Sequence, residues 1–325
     1  MQAFAVMSLI CLLFLAVVPR ALSLSTSVRS QLLRSIDGVS DTTVNLVCPE
    51  TKEILLDRTR YYGFVKERVL VAPTSGRKFD VKRGYADLTI SEEVDKPLWE
   101  ITNRERISSR LFQNPFLPFI YERGYRQNFQ NAGFPGIEKE YAEVEDFFLD
   151  GIERKGGVVL DLSCGSGFMS RKFVKSNKFS QIVSADLSTT MLAETRRRMK
   201  EEDLEVPLMI RVDVAKLPFA DNTLDYIHAG AAMHCWPRLS DALSEIYRVL
   251  KPGGKFWATT FFQSIGMNSI SVMTSQEKSN SGMYMFKGED EITGLVRDAG
   301  FTGDGGSVIV RREGKGCAIV RAIKE

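Results

Sequence analysis

The stretch VVLDLSCGSGFMS, residues 158–170, decides the fold. Its first five residues are apolar apart from Asp161, and Gly156-Gly157 stand before them. A short apolar run bounded by glycine reads as a strand buried on both faces. Gly165 and Gly167 then allow a tight turn, and a helix is predicted over 170–175. Further strands are predicted over 181–185, 208–212, 224–229 and 255–260. Between and after them come helices over 188–200 (N-capped by Ser188), 241–250 and 289–299, the second stopped by Pro252-Gly253-Gly254 and the third by Gly300. Strands over 307–310 and 317–322 are separated only by the turn RREGKG, so they form an antiparallel hairpin at one edge. Alternation of this kind demands an α/β fold, a Rossmann-like and mostly parallel sheet with helices on both faces.

Ligands of such sheets sit beyond the carboxyl ends of the strands. There the sequence places Asp161 and the Gly-Ser-Gly turn, then Asp186, nineteen residues after Gly167, and then Asp213. An acid at the second strand end can accept both hydroxyls of a ribose, and one at the third can accept an adenine amino group. A dinucleotide would bring a pyrophosphate to the glycine turn. Asp161 stands beside that turn, and Ser170 replaces the third glycine of G-x-G-x-x-G. Two like charges at ~4 Å repel by roughly 1 kcal/mol in water and about 4 kcal/mol at an effective dielectric of 20. S-adenosylmethionine, with its ammonium and sulfonium, suits the turn better than a nicotinamide dinucleotide.

Four segments resemble, in order and spacing, the motifs of class I S-adenosylmethionine-dependent methyltransferases: VVLDLSCGSGFMS, IVSADLS (182–188), RVDVAKLPFADNTLDYIHAGAAMHCWP (211–237) and LKPGGKF (250–256). They are most similar to the methyltransferase type-11 group, which includes quinone-biosynthesis C-methyltransferases. FIYERGYRQNFQNAGFPG (119–136) and HAGAAMHCWP (228–237) resemble plant plastid methyltransferases of unassigned substrate. The resemblance implies a seven-stranded sheet with a reversed last hairpin. It also implies that Asp161, Gly165, Ser166 and Gly167 hold the methionine end of S-adenosylmethionine, Asp186 and Leu187 hold ribose and adenine, Asp213 and Val214 flank the adenine, and Ala229 and Gly230 line the methyl-donor face.

Around this domain, residues 156–325, the rest of the chain divides by texture. Residues 1–23 read as a signal peptide, with an uncleaved membrane anchor as the alternative. No Asp or Glu occurs before Asp37, and 24–39 is Ser-rich and Arg-bearing like a transit peptide. Together they predict a plastid address, the alternative being the endomembrane lumen or secretion. Residues 40–100 form a small region with strands over 44–48 and 65–71. Cys48-Pro49 there is similar to half of a zinc-ribbon knuckle whose partner cysteines are missing, so Cys48 is read as a packed or free thiol and no metal is expected. Residues 101–155 are predicted as a helical cap, with helices over 104–112 and 138–149.

The net charge of +2 and 26% charged residues provide no basic stripe for a nucleic acid. The expected partner is a small molecule, with peripheral contact with plastid lipid; oligomeric state is left open. Methyl transfer from a sulfonium needs orientation and exclusion of water, and a base only when the acceptor must lose a proton. The chain has two histidines, His228 and His234. His228 reads as a strand residue satisfied internally. His234, in His-Cys-Trp-Pro, reads as a base or a substrate hydrogen-bond donor, or else as a group bonded to the backbone near Trp236. Tyr121, Tyr125, Phe134 and Trp236 are expected to shape the substrate pocket. The Met-containing insert 261–286 is expected to act as a lid. The expected function is methyl transfer to a small, hydrophobic metabolite of the quinone or prenyl-lipid type. The alternatives are an NAD(P)-dependent oxidoreductase and a non-catalytic methyltransferase-like binding protein.

Overall fold

The computed structural model describes residues 44–62, 65–82, 84–90, 133–150, 156–263, 284, 286–302 and 306–325. The presequence, the helix expected over 104–112, Tyr121, Tyr125 and the methionines of the 261–286 insert lie outside the described residues. In chain order the elements are β1 (Leu56–Tyr62), β2 (Val65–Val71), β3 (Lys78–Lys82), β4 (Tyr85–Asp87), α1 (Ile137–Leu149), β5 (Val158–Leu162), α2 (Phe168–Ser176), β6 (Gln181–Asp186), α3 (Thr189–Glu201), β7 (Leu208–Arg211), β8 (Leu224–Ala229), α4 (Leu239–Val249), β9 (Leu250–Phe261), α5 (Glu289–Asp298), β10 (Val308–Glu313) and β11 (Cys317–Ile323).

Among the described residues the strands form one 11-stranded sheet, in the order β1-β2-β3-β4-β7-β6-β5-β8-β9-β11-β10. The block β7-β6-β5-β8-β9 is parallel, and β11 runs antiparallel to both β9 and β10. These seven strands are the expected set, with the expected reversed hairpin. Four strands before them lengthen the sheet: β1 to β4 form an antiparallel meander that joins β7 through parallel β4.

Three local expectations change. Over 44–48 there are only single bridges, Leu46 to Phe219 and Val47 to Ile54. Pro49 cannot donate a ladder hydrogen bond, and the chain turns at once, with the Cys48 N–H donating to the Glu53 carbonyl at 2.8 Å. Helix α4 ends at Val249, before Pro252-Gly253-Gly254, which lies inside β9. Pro252 disfavours the helical region at Lys251, and the chain is already extended one residue earlier, at Leu250, with ψ 140°. The register of β9 on β8 shifts between the pairs Leu224–Leu250 and Tyr226–Lys255; Gly253 lies in that shift at φ +77°, and its N–H donates to the Lys324 carbonyl at 2.6 Å. Helix α2 begins two residues earlier than predicted, at Phe168, straight from the glycine turn.

The period of two within each strand sorts the core into two faces. Leu160, Leu162, Ile227, Ala229, Phe256 and Ala258 pack with Leu243 and Ile246 of α4 and Val296 of α5. Val159, Tyr226, Trp257 and Ile319 pack with Val144 and Phe148 of α1 and Phe173 of α2. Each phenylalanine fully buried in this second cluster contributes roughly 1.5–3 kcal/mol by leaving water. One transverse row on that second face departs from the apolar pattern. Register pairs Ser184 with Asp161, Asp161 with His228, and His228 with Trp257, so a row of polar side chains crosses three parallel strands and ends against Trp257 on the fourth. That row underlies the site.

Candidate functional site

The turn after β5 is held in an unusual backbone path. Ser163, Gly165 and Gly167 lie at φ +57°, +57° and +77°. Gly167 is a necessity: a Cβ there would stand 2.5 Å from Cγ2 of Thr195 on α3. Thr195 in turn donates its hydroxyl to the Gly165 carbonyl at 2.8 Å. Buried Arg171 donates to the Ser166 carbonyl at 2.8 Å and pairs with Glu202 at 2.9 Å. The Ser166 hydroxyl is buried and has no partner among the described residues.

Asp186, at the end of β6, faces this turn. One carboxylate oxygen accepts from the Gly165 N–H at 2.9 Å, and the other accepts from the Ser188 N–H at 2.8 Å. Burial raises its carboxyl to about 6, against the lowering effect of those N–H donors. Leu187 follows, partly exposed, with its carbonyl accepting from Nε of Arg211 at 3.0 Å. Asp213, beyond β7, caps the Ala215 N–H at 3.0 Å, and its other oxygen takes Nη2 of Arg238 at 2.7 Å. Val214 is buried beside it. The acid expected to meet an adenine amino group therefore already has a cationic partner, itself well exposed.

Beneath the turn, the polar row closes into a cluster. His228 Nδ1 is 2.9 Å from Asp161 Oδ1, and its Nε2 is 3.1 Å from Glu140 Oε1 of α1. Trp257 stacks on the imidazole at 5.4 Å between centroids. Ser170 donates to Asp161 Oδ2 at 2.5 Å and lies 2.7 Å from Ser184 Oγ. Burial opposes charge on His228, yet the two carboxylate partners win, and the imidazole is raised to about 9. His228 is thus satisfied internally, as expected, and as a cation. Asp161 is correspondingly not the bare carboxylate that the sequence argument assumed. With the His228 imidazolium beside it, Asp161 opposes an anionic ligand at the turn less than the sequence argument assumed. Ser170 stands in place of a third glycine because its hydroxyl ties the first turn of α2 to this cluster.

Gly230 lies against the same cluster; a Cβ on it would be 2.7 Å from Glu140 Oε1. Ala229 is buried at the end of β8, and the next turn holds Ala231 at φ +51°, with its N–H on Thr259 Oγ1 at 2.8 Å. A 3-10 turn, Met233–Cys235, follows. His234 is buried, 3.4 Å from Thr260 Oγ1 through Nδ1, and edge-on to Phe261 at 4.8 Å. Burial alone lowers its imidazole to about 4, so it is neutral at physiological pH. Its ring meets the Thr260 side chain, while its carbonyl accepts from the Tyr284 N–H at 2.8 Å. Phe134 also packs on Phe261, at 4.4 Å between ring centroids. Trp236 is buried, and its indole N–H donates to Ser163 Oγ at 3.1 Å, which joins this segment to the glycine turn. Glu140, Ser170, Thr195, Arg211 and the Trp236–Ser163 bond were not found from the sequence.

Comparison with known proteins bears on this constellation. Residues 160–258 match the model of the methyltransferase domain family. Two uncharacterized chloroplastic methyltransferases of Arabidopsis thaliana are 40% identical over 237 residues and 36% identical over 230 residues, each covering 70% of this chain. A ubiquinone/menaquinone biosynthesis C-methyltransferase of Roseobacter denitrificans is 30% identical over 168 residues, 46% of this chain and 67% of that protein. The chain belongs to the S-adenosylmethionine-dependent methyltransferases. It spans 64% and 63% of the lengths of the two plant methyltransferases, just under two thirds. In fold it is similar to a phosphoethanolamine N-methyltransferase of Haemonchus contortus, with a TM-score of 0.53 at 18% identity, over 69% of this chain and 61% of that one.

The alternative of a nicotinamide dinucleotide falls with that membership. The residues present fit the family's methyl donor. They combine a backbone turn that only glycine can follow at Gly167, a carboxylate at the second strand end, a buried Ser166 hydroxyl without a partner among the described residues, and the Asp161–His228–Glu140 cluster below.

Proposed function

We propose that this methyltransferase moves the methyl group of S-adenosylmethionine to a small, hydrophobic acceptor of the quinone or prenyl-lipid type in a plastid. The observation that carries the reading is the tie between Asp186 and Gly165, which joins the ribose-side acid to the glycine turn. In this reading Asp161, Gly165, Ser166 and Gly167 hold the methionine end. Asp186 and Leu187 hold ribose and adenine, Asp213 and Val214 flank the adenine, and Ala229 and Gly230 line the face of the transferable methyl. The donor supplies an already activated methyl on sulfur. What the protein adds is orientation and a dry site.

In the same reading His234 serves as base or as a hydrogen-bond donor to the acceptor. In the tautomer whose Nδ1–H donates to Thr260 Oγ1, Nε2 carries the lone pair that would take a proton from an acceptor hydroxyl or activated carbon. Phe134, Phe261 and Trp236 make the neighbourhood of His234 apolar, which favours a hydrophobic acceptor. The relative named for quinone biosynthesis supports the same class. The plastid address rests on the acid-poor, Arg-bearing amino terminus and on the two relatives named chloroplastic. Contact with plastid lipid would deliver such an acceptor.

Incubation of the protein with methyl-labelled S-adenosylmethionine and a plastid lipid extract tests the proposal. Label is expected in the organic phase, in a species that accumulates one methyl lighter in a strain lacking the protein. Binding of S-adenosylhomocysteine with no transfer to any fraction would instead support the non-catalytic alternative.

A further inference from the structure

The meander β1–β4 lies wholly outside the residues matched by the methyltransferase family model, 160–258. It is nevertheless wired to the ribose side of the site. Asp87, the last residue of β4, pairs in register with Arg211, the last residue of β7. Arg211 is also in register with Asp186 on its other side. The Arg211 side chain is 5% exposed and reaches in both directions, Nη1 to Asp87 Oδ2 at 2.9 Å and Nε to the Leu187 carbonyl at 3.0 Å. Asp87 is itself held by Thr89, whose backbone N–H and hydroxyl both donate to Oδ1, at 3.2 Å and 2.7 Å. The main chain repeats the link: Leu88 N–H donates to the Arg211 carbonyl at 2.9 Å, and Val212 N–H to the Asp186 carbonyl at 3.1 Å.

We infer that Asp87 is a positioning residue for the methyl donor, aiming the Arg211 guanidinium so that Leu187 is held where the ribose and adenine meet the protein. Without the Asp87 carboxylate the buried guanidinium would lose the charged hydrogen bond that fixes its direction. It would turn toward water or another acceptor, and the Leu187 carbonyl would lose its donor. The meander is then a part of the donor site, and its four strands serve to present one carboxylate.

The inference rests on the proposed donor site, and the test separates the two. Calorimetric titration with S-adenosylhomocysteine measures the site directly, without turnover. Asp87→Asn is expected to weaken binding roughly three- to tenfold, the size of a partial loss of one charged hydrogen bond. In turnover it raises KM for the donor and leaves kcat within about twofold. Asp87→Glu restores most of the affinity. Asp80→Asn, in the same meander on β3, is the control and leaves affinity unchanged. Should Asp87→Asn not fold, Arg211→Lys keeps the charge but loses the two-way fork, and the same weakening is expected from it. A folded Asp87→Asn protein, or in its place a folded Arg211→Lys, with wild-type affinity and wild-type donor KM overturns the inference. A wild-type chain that takes up no S-adenosylhomocysteine overturns the donor site itself.

Discussion

Replacing His228 by glutamine removes a cation from between two buried carboxylates, and the consequence depends on pH in a calculable way. In the wild type the imidazole is raised from 6.5 to about 9 by Asp161 and Glu140. A group whose folded value is raised stabilises the fold fully below its unfolded value, and that stabilisation is lost as pH rises through the folded value. The window here runs from about 6.5 to about 9. At ~1.4 kcal/mol per pH unit of displacement, the contribution is about 3 kcal/mol. His228→Gln forfeits it and also leaves Asp161 and Glu140 facing each other across a neutral side chain. Loss of one partner from a buried ion pair costs about 3–5 kcal/mol near neutrality. The mutant's deficit should therefore be largest at pH 6.5 and shrink by about 3 kcal/mol by pH 9.5, where the wild-type imidazole is neutral too. Urea unfolding followed by tryptophan fluorescence at pH 6.5, 7.5, 8.5 and 9.5 reads the deficit directly. A deficit that stays constant over that range would refute a charged His228.

The remaining expectations concern the donor and acceptor sides. Gly167→Ala combines φ +77° with a Cβ 2.5 Å from Thr195; it should cost at least about 1–2 kcal/mol of stability and abolish S-adenosylhomocysteine binding, both visible in a melting curve with and without ligand. Asp186 must be ionised to accept two ribose hydroxyls, and its carboxyl is raised to about 6, so donor affinity should fall as pH drops below about 6 and be flat above 7; a calorimetric series at pH 5 to 8 checks this. His234→Ala should lower kcat about 10²-fold or more with the true acceptor while leaving S-adenosylhomocysteine affinity unchanged. With donor saturating, kcat of the wild type should show no acidic limb near 6.5, because burial lowers His234 to about 4; unchanged turnover in the mutant would retire His234 as base.

How much of this was legible in the chain follows from where each signal resides. The parallel block could be read because its strands are buried on both faces and contain runs such as VVL and LMI. Asp186 and the Gly-Ser-Gly turn stood out because strand ends mark the crevice. The meander was mostly missed because β1, LDRTRYY, and β3, KFDVK, interleave charges with their apolar positions and resemble loop. The Glu140–His228 contact joins residues 88 apart, and no local periodicity announces it. Ser170 read as a lost glycine and proved to be a ligand of the buried acid, a role visible only once β6 sets Ser184 beside it. Arg238 on Asp213 was hidden for a similar reason: it begins α4, 25 residues downstream, and meets the acid only after β8 and its turn have carried the chain back across the sheet.

Equilibrium titration of the intact chain with S-adenosylhomocysteine tests the central claim most directly. One molecule should bind per chain, with affinity reduced strongly by Asp186→Ala and abolished by Gly167→Ala. No heat of binding in the wild type, or binding indifferent to both substitutions, would contradict the placement of the methyl donor at the glycine turn.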